Sequence, residues 1–451
     1  MQGAIDYWHS LLRTDVELSA PFWDALATRM RDEHLTFGGR LNCPFLRPMF
    51  LSPDELHRVR VVAEVVARVG ERVVAAAMED RALLGELGLS DAERALVDLD
   101  PGYATASTAS RLDSFLLPHA LAFAEYNAES PAGLTYTEGL SEVFDSLEAM
   151  ARFRERYRTE HFRLTSGILE ALIASYREWG GTASPPTICI TDWREVPTWA
   201  EFKNIEARFE RMGVPTMVVD PRELEFDGRR LAAAGRTIDL VYRRVLINDI
   251  VARPAECAAL VDAYRARAVC VANTFRCKIP HKKAFFAVLT DPRHEALFSA
   301  EEREVFSKHV PWTRVVADER TTADGLEVDL VEYMRHAKDS LVIKPNDEYG
   351  GTGVILGWEV DEAEWERAIE HAVVAPRGTW ITQRRIEVRR ETFPFVEQAG
   401  HVVLRDMLVD FAPYLFRGKL GGFLTRLSGS GLANVTSGGG QVPAFVVEER
   451  R

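Results

Sequence analysis

The sequence has no apolar run long enough to cross a bilayer, no C-x-x-C pair, no G-x-G-x-x-G turn and no G-x-x-x-x-G-K-[ST] loop. The first absence excludes a helical membrane span. The second leaves five scattered cysteines, Cys43, Cys189, Cys257, Cys270 and Cys277, an odd number that fits neither a zinc pattern nor a disulfide framework. They read as reduced, mostly buried thiols of a cytoplasmic protein. The other two absences exclude the usual dinucleotide turn and the P-loop. Basic residues are outnumbered by acidic ones, 55 to 68. A net charge of −13 over 451 residues argues against a dedicated nucleic-acid binder, although a locally basic cleft can still hold an anion such as a nucleotide. Residues Met1–Trp23 carry acidic side chains and no unbroken apolar core, so they do not read as a secretory signal.

What is present is enough apolar material, 47% of the chain, for two or three packed domains. The first hundred residues read as helical. Ser52-Pro53 is an N-cap with proline at the first helical position, and Leu56, Val59, Val62, Ala63, Val66, Val69, Val73 and Val74 follow at helical spacing. Ser90 with Glu93 is a capping box for a second, shorter helix. These helices form a packed cover to which no chemistry is assigned. Helices are also expected from about Tyr136 to Trp179, with Arg152, Arg154, Arg156 and Arg158 spread around a solvated cylinder. From Pro185 to Cys277, strands at Thr187–Ile190, Thr216–Val219, Ile238–Tyr242 and Ala268–Ala272 alternate with helices at Ala200–Met212 and Ala255–Ala266. That texture predicts a parallel, doubly wound sheet. The fold class is therefore α/β with α+β segments.

One stretch, Arg111 to Pro131, carries the densest chemistry. Apolar runs Phe115–Leu117 and Ala120–Ala124, with Pro118-His119 between them, read as a hairpin. Arg111 and Asp113 share a strand face, as do Glu125 and Asn127. Asp, Glu and Asn supply hard oxygen ligands of the kind Mg²⁺ needs when it carries a nucleotide's phosphates. Downstream, Lys282-Lys283 opens a helix near Pro280. Lys344 ends a strand, Ser340–Lys344, just before Gly350-Gly351-Thr352-Gly353, and Val354–Gly357 leads out of that turn. A strand–glycine turn–strand is a flap whose backbone N–H groups can approach phosphate oxygens. Trp380–Arg384, with Gln383, is a further strand, and the chain from His401 to Val447 is strand-rich. Arg111 and Arg426 are the arginines suited to neutralising a phosphoryl group in flight.

In order and spacing this set resembles glutathionylspermidine synthase and related circularly permuted ATP-grasp ligases. The residues that carry the likeness are R-x-D at Arg111–Asp113, E-Y-N-A-x-x-P at Glu125–Pro131, K-K-A at Lys282–Ala284, V-I-K-P at Val342–Pro345, the glycine flap, Gln383 and L-T-R-L around Arg426. The resemblance implies a permuted ATP-grasp fold that uses ATP and Mg²⁺. Asp113, Glu125 and Asn127 would hold the metal. Lys283, Lys344 and the flap glycines Gly350, Gly351 and Gly353 would hold the phosphates, with Gln383 at the adenine-side hinge. Arg111 would contact phosphate, and Arg426 would stabilise the transferring group. It also implies a division into a helical region (1–105), the metal hairpin (106–135), a helical connection (136–184), a Rossmann-like pre-ATP-grasp domain (185–278) and a nucleotide-binding region (279–451). Two departures stand out. The family's N-A-D-T-P reads Asn127-Ala128-Glu129-Ser130-Pro131, and Lys282 replaces the Asn before the first lysine.

The function implied is ligation of a small-molecule carboxylate, an amino acid or peptide, to an amine through an acyl phosphate, with neither nucleic acid nor membrane as partner. Two other readings stay open: a kinase-like phosphoryl transferase and a nucleotide-binding protein without turnover. Asp410, on an expected strand Met407–Phe411, is a second-ranked metal ligand because it lacks an E-x-N partner. Whether Asn434 assists the site is open, and Gly438-Gly439-Gly440 reads as a loop. Arg243-Arg244, at the end of a strand, could bind a carboxylate or form an ordinary salt bridge.

Overall fold

The computed structural model describes residues 1–14, 16–32, 35–37, 40–117, 120–348, 350–397, 401–429 and 439–450. The hairpin turn Pro118-His119, Asn434 and Gly438 lie outside them.

The amino-terminal helices form where their caps place them. Ser52 Oγ accepts the Glu55 N–H at 3.1 Å while Glu55 returns a carboxylate to the Ser52 N–H at 2.8 Å, which starts the helix Pro53–Glu79. Ser90 and Glu93 repeat the arrangement at the start of Asp91–Val97. The long helix buries Val59, Val62, Val66, Val69 and Val73 against an antiparallel sheet built largely from the end of the chain.

The expected run of helices from Tyr136 to Trp179 is interrupted. Helices Leu134–Asp145, Glu148–Phe153 and Leu164–Glu178 flank a strand, Tyr157–His161, paired antiparallel with Ala444–Glu449. The last strand of the chain offers a hydrogen-bonding edge there, and local helical propensity yields to it. The four arginines are solvated as expected and ion-paired. Arg152 meets Glu148, Arg154 meets Asp145, Arg156 meets Glu449, and Arg158 meets Glu160.

The parallel sheet runs Cys270–Ala272, Leu240–Arg243, Ile188–Thr191, Thr216–Val219 across its width. Alternation sends Ile188, Ile190 and Tyr242 to one face, against helices Leu164–Glu178 and Trp199–Arg211. Cys189, Met217 and Val241 go to the other, against Ala258–Arg265. Both faces are covered, as a doubly wound sheet requires. All five cysteines are free and buried. No helix among the described residues is long and apolar enough to cross a membrane.

Two antiparallel sheets complete the molecule. One, ordered Thr313–Val315, Trp380–Arg384, Leu341–Pro345, Ile355–Leu356, carries the glycine turn between its last two strands. The other joins distant parts of the chain. Strands Ala109–Leu116 and Leu121–Asn127 continue a sheet whose other members are Val402–Phe416, Lys419–Ser428, Gly440–Val442 and, on the outer half of Val402–Phe416, Arg390–Val396. The expected hairpin therefore exists and is longer than its apolar runs. The lysine pair opens a helix as expected, but that helix is Ala284–Thr290 and begins after Lys283 rather than near Pro280, which belongs to a separate short helix, Lys278–His281.

Candidate active site

Strand pairing places Asp113 directly opposite Glu125 and Arg111 opposite Asn127, with a bulge just after Asp113. On the neighbouring strands Asp410 pairs with Arg426. Asp113, Glu125, Asp410 and Arg426 form the floor of a cleft of about 700 Å³ between the two antiparallel sheets. Its opposite wall carries Lys344, Gln383 and Val342 from the smaller sheet and Gly350, Gly351 and Thr352 from the turn, with Lys283 at one side. Residues from four separated parts of the sequence thus meet in one cleft.

Arg111, Asn127 and Gly353 do not line it. Arg111 is buried behind the floor. It grips Asp113 with two N–H groups, Nε at 2.6 Å and Nη2 at 3.0 Å, and donates a third to the Ala132 carbonyl at 2.9 Å. Its geometry is that of a brace holding the carboxylate in place. Arg426 does face the cleft. It donates to Asp113 Oδ2 at 2.9 Å and to Asp410. Burial raises the Asp113 carboxyl's pKa, but the two guanidiniums outweigh it and hold the group well below the usual carboxylate range. Asp410 goes the other way. Burial first, then the Asp113 charge, push it up to about 6 against the pull of Arg426. Its second oxygen, Oδ1, is buried without a hydrogen-bond partner among the described residues.

Lys283 reaches Glu125 at 3.3 Å and the Glu348 carbonyl at 2.6 Å, so it links the hairpin to the base of the flap. Lys344 donates to Gln383 Oε1 at 2.7 Å. Burial, with Lys283 nearby, lowers the Lys344 ammonium to about 8, although Glu125 opposes the shift. Gly350, Gly351 and Gly353 all have positive φ, at 67°, 79° and 71°. Glycine is the residue that meets that demand without strain. Among the described residues no three His, Cys, Asp or Glu side chains converge tightly enough to hold a metal alone. Asp113 facing Glu125 still fits Mg²⁺, which takes one or two protein carboxylates and completes its shell with phosphate oxygens and water.

Several residues that matter here were undervalued or unseen in sequence. Asp410, ranked second, is as much part of the floor as Asp113. Glu129, visible only as a departure from a motif, is fully enclosed. Arg243 Nη1 meets it at 3.2 Å and Lys278 Nζ at 3.2 Å. Arg243 is thus a structural partner of Glu129, and Arg244 is engaged by the Pro131 carbonyl at 2.7 Å and the Tyr242 hydroxyl at 3.0 Å. Neither arginine faces the cleft. Lys282 belongs to the same buried network, bonding Glu93 at 2.9 Å and Asp347 at 2.7 Å. No local pattern marks such pairs, because their partners lie up to 189 positions away.

No known protein family's profile matches the chain. A solved glutathione synthetase-like effector from Globodera pallida, in its apo form, superposes over 96% of this chain and 97% of its own, with a TM-score of 0.59 at 12% identity. The chain shares that effector's fold. Among curated proteins, one from Frankia alni, provisionally named glutamate–cysteine ligase 2-3, is 27% identical over 257 residues, 52% of this chain and 27% of its own length. An uncharacterized Mycobacterium tuberculosis protein is 25% identical over 349 residues, 72% of this chain and 57% of its own. The chain thus spans between about a quarter and somewhat more than half of these relatives.

Proposed function

We propose that the protein is an ATP- and Mg²⁺-dependent ligase of circularly permuted ATP-grasp type that joins a carboxylate to an amine. The observation that carries this reading is the single cleft in which two lysines and a glycine flap face a carboxylate floor braced by arginines. The permutation accords with the sheet, where a hairpin from early in the chain completes strands from its end. The provisional ligase name of the Frankia relative makes L-glutamate the first acid to test and L-cysteine the first amine. The resemblance to glutathionylspermidine synthase adds spermidine as a second amine.

In this reading Lys344, Lys283 and the flap backbone bind the nucleotide's phosphates. Gln383, whose carboxamide holds the Lys344 ammonium, positions that lysine and lies on the adenine side. Asp113 and Glu125 hold Mg²⁺, with Asn127 the third ligand that the family pattern supplies. When bound, Mg²⁺ neutralises the charge between the transferred and departing phosphates. Arg426 stabilises the phosphoryl group as it passes to the substrate carboxylate, and Arg111 keeps Asp113 aligned. The amine then attacks the acyl carbon, the amide forms, and phosphate leaves after ADP has been made. Closure of the flap excludes water, which would otherwise hydrolyse the acyl phosphate.

The test is ADP release from Mg-ATP with L-glutamate and L-cysteine or spermidine, with mass measurement of the product. Asp113→Ala and Glu125→Ala are expected to lower kcat/KM by at least about a hundredfold, as losses of transition-state charge stabilisation do. Unchanged turnover and unchanged Mg-ATP affinity in both would reject the site.

A further inference from the structure

The floor holds one polar atom that phosphate binding, metal binding and the arginine brace all leave unused. Asp410 is 2% exposed, and while Arg426 takes its Oδ2, its Oδ1 has no hydrogen-bond partner among the described residues. A buried carboxylate oxygen without a donor costs free energy that a folded protein ordinarily avoids. Asp113 differs in this respect, since its two oxygens receive three N–H groups from Arg111 and Arg426. Asp410 lies two strands across the sheet from Glu125, which Lys283 meets. Leu408, two positions along its own strand, and Phe115 add apolar surface to the cleft lining.

We propose that Asp410 Oδ1 receives the ammonium group of the amine substrate and positions its nitrogen beside the phosphoryl group held by Arg426. This rests on the ligase reading and deepens it by naming the amine subsite. The ligand it fits is a protonated primary amine. One of its three N–H donors satisfies the carboxylate oxygen, and the short apolar body behind it meets Leu408 and Phe115. Position agrees with the chemistry. Arg426 bridges Asp113 and Asp410, so a group bound to the free oxygen lies within one guanidinium's width of the transferring phosphoryl, where the acyl phosphate forms. The ammonium loses one proton to solvent, which exposes the lone pair that attacks the acyl carbon. A second leaves as the C–N bond forms and the C–O bond to phosphate breaks, carried off by the departing phosphate. The carboxylate's part is to bind and orient the ammonium beforehand.

The experiment compares two nucleophiles. With Mg-ATP and L-glutamate, the intact chain and Asp410→Asn are assayed with L-cysteine, whose amine is cationic, and with hydroxylamine, uncharged at neutral pH, which traps the acyl phosphate as a hydroxamate. The expected result is a fall of about ten- to a hundredfold in the preference for L-cysteine over hydroxylamine, as for a lost charge-assisted hydrogen bond. The KM for ATP should stay within about twofold. Equal losses for both nucleophiles, or a KM for ATP that rises in step, would place Asp410 on the metal and phosphate side and overturn the proposal. A second measurement needs no turnover. Ethylammonium chloride should raise the melting temperature of the wild-type chain more than sodium chloride does, and this excess should vanish in Asp410→Asn. An equal response of the two proteins would also overturn it. Absence of any acid-dependent ADP release from the wild type would count against the ligase reading, while the ethylammonium comparison would still decide the role of Asp410.

Discussion

Lys344 shows at the scale of one side chain how the cleft would set the conditions for the proposed nucleotide binding. Its ammonium touches one neutral acceptor, Gln383, and burial brings its pKa to about 8. The charged form is the one that binds phosphate. Nucleotide affinity should therefore be full below that value and should weaken as pH rises through it, a loss that bound phosphate opposes by favouring the charge. Lys344→Ala should weaken Mg-ATP binding by about 1.5–3 kcal/mol, roughly ten- to a hundredfold, as removal of a hydrogen bond to a charged group does. Calorimetric titration between pH 7 and 9.5 checks both statements. Lys344→Arg, charged throughout, should lose the pH dependence. Lys344 was legible in the sequence because a strand and a glycine turn flank it. Asp410 was underrated because its partners, Asp113 and Arg426, come from other strands, and strand neighbours do not show in a linear pattern.

Between elements, the buried network around Glu129 ties together parts that the linear reading kept separate. Glu129 ends the hairpin segment. Arg243 comes from the parallel sheet, Lys278 from the helix before the lysine pair, and Asp347 from the base of the flap, where it meets Lys278 at 2.8 Å and Lys282 at 2.7 Å. Burial works to raise the Glu129 carboxyl, yet Lys278 and Arg243 overcome it and hold the group at about 2. A depressed folded-state pKa means that the stabilisation is full above the unfolded value, about 4.3, and is lost as pH falls toward 2. Glu129→Gln keeps the shape and removes the charge, leaving Arg243 and Lys278 short of a counter-ion. The expected cost is about 3–5 kcal/mol, read as a lower urea midpoint at pH 7 that converges on the wild type in acid. The same scale explains which elements were legible. The capped helices and the parallel strands announce themselves through local pattern, as Ser52 and Ser90 show. Tyr157–His161 is a strand only because Ala444–Glu449, nearly three hundred residues later, lies alongside it.

For the whole molecule, the amino-terminal helices are not a detachable cover. One apolar core runs from Trp8 and Phe50 through the valines of Pro53–Glu79 to Phe411 and Phe423 of the long antiparallel sheet and Phe285 beside the lysine pair. Trp8 is fully buried; its indole N–H donates to the Leu46 carbonyl at 2.9 Å, and its ring meets Phe153 edge-on at 5.3 Å. The strand Met49–Leu51 pairs with Ala444–Glu449, which in turn holds Tyr157–His161. Packing of this continuity transmits a defect from one end to the other, because a close-packed interior does not confine a cavity's cost to one helix. Trp8→Ala should therefore cost about 3–5 kcal/mol and should lower the temperature at which the distant cleft loses Mg-ATP binding. Followed by near-ultraviolet circular dichroism and by nucleotide-dependent fluorescence in parallel, the two losses should coincide. Retention of nucleotide binding well beyond the loss of the aromatic signal would show instead that the helices melt by themselves, and that the carboxylate floor stands without them.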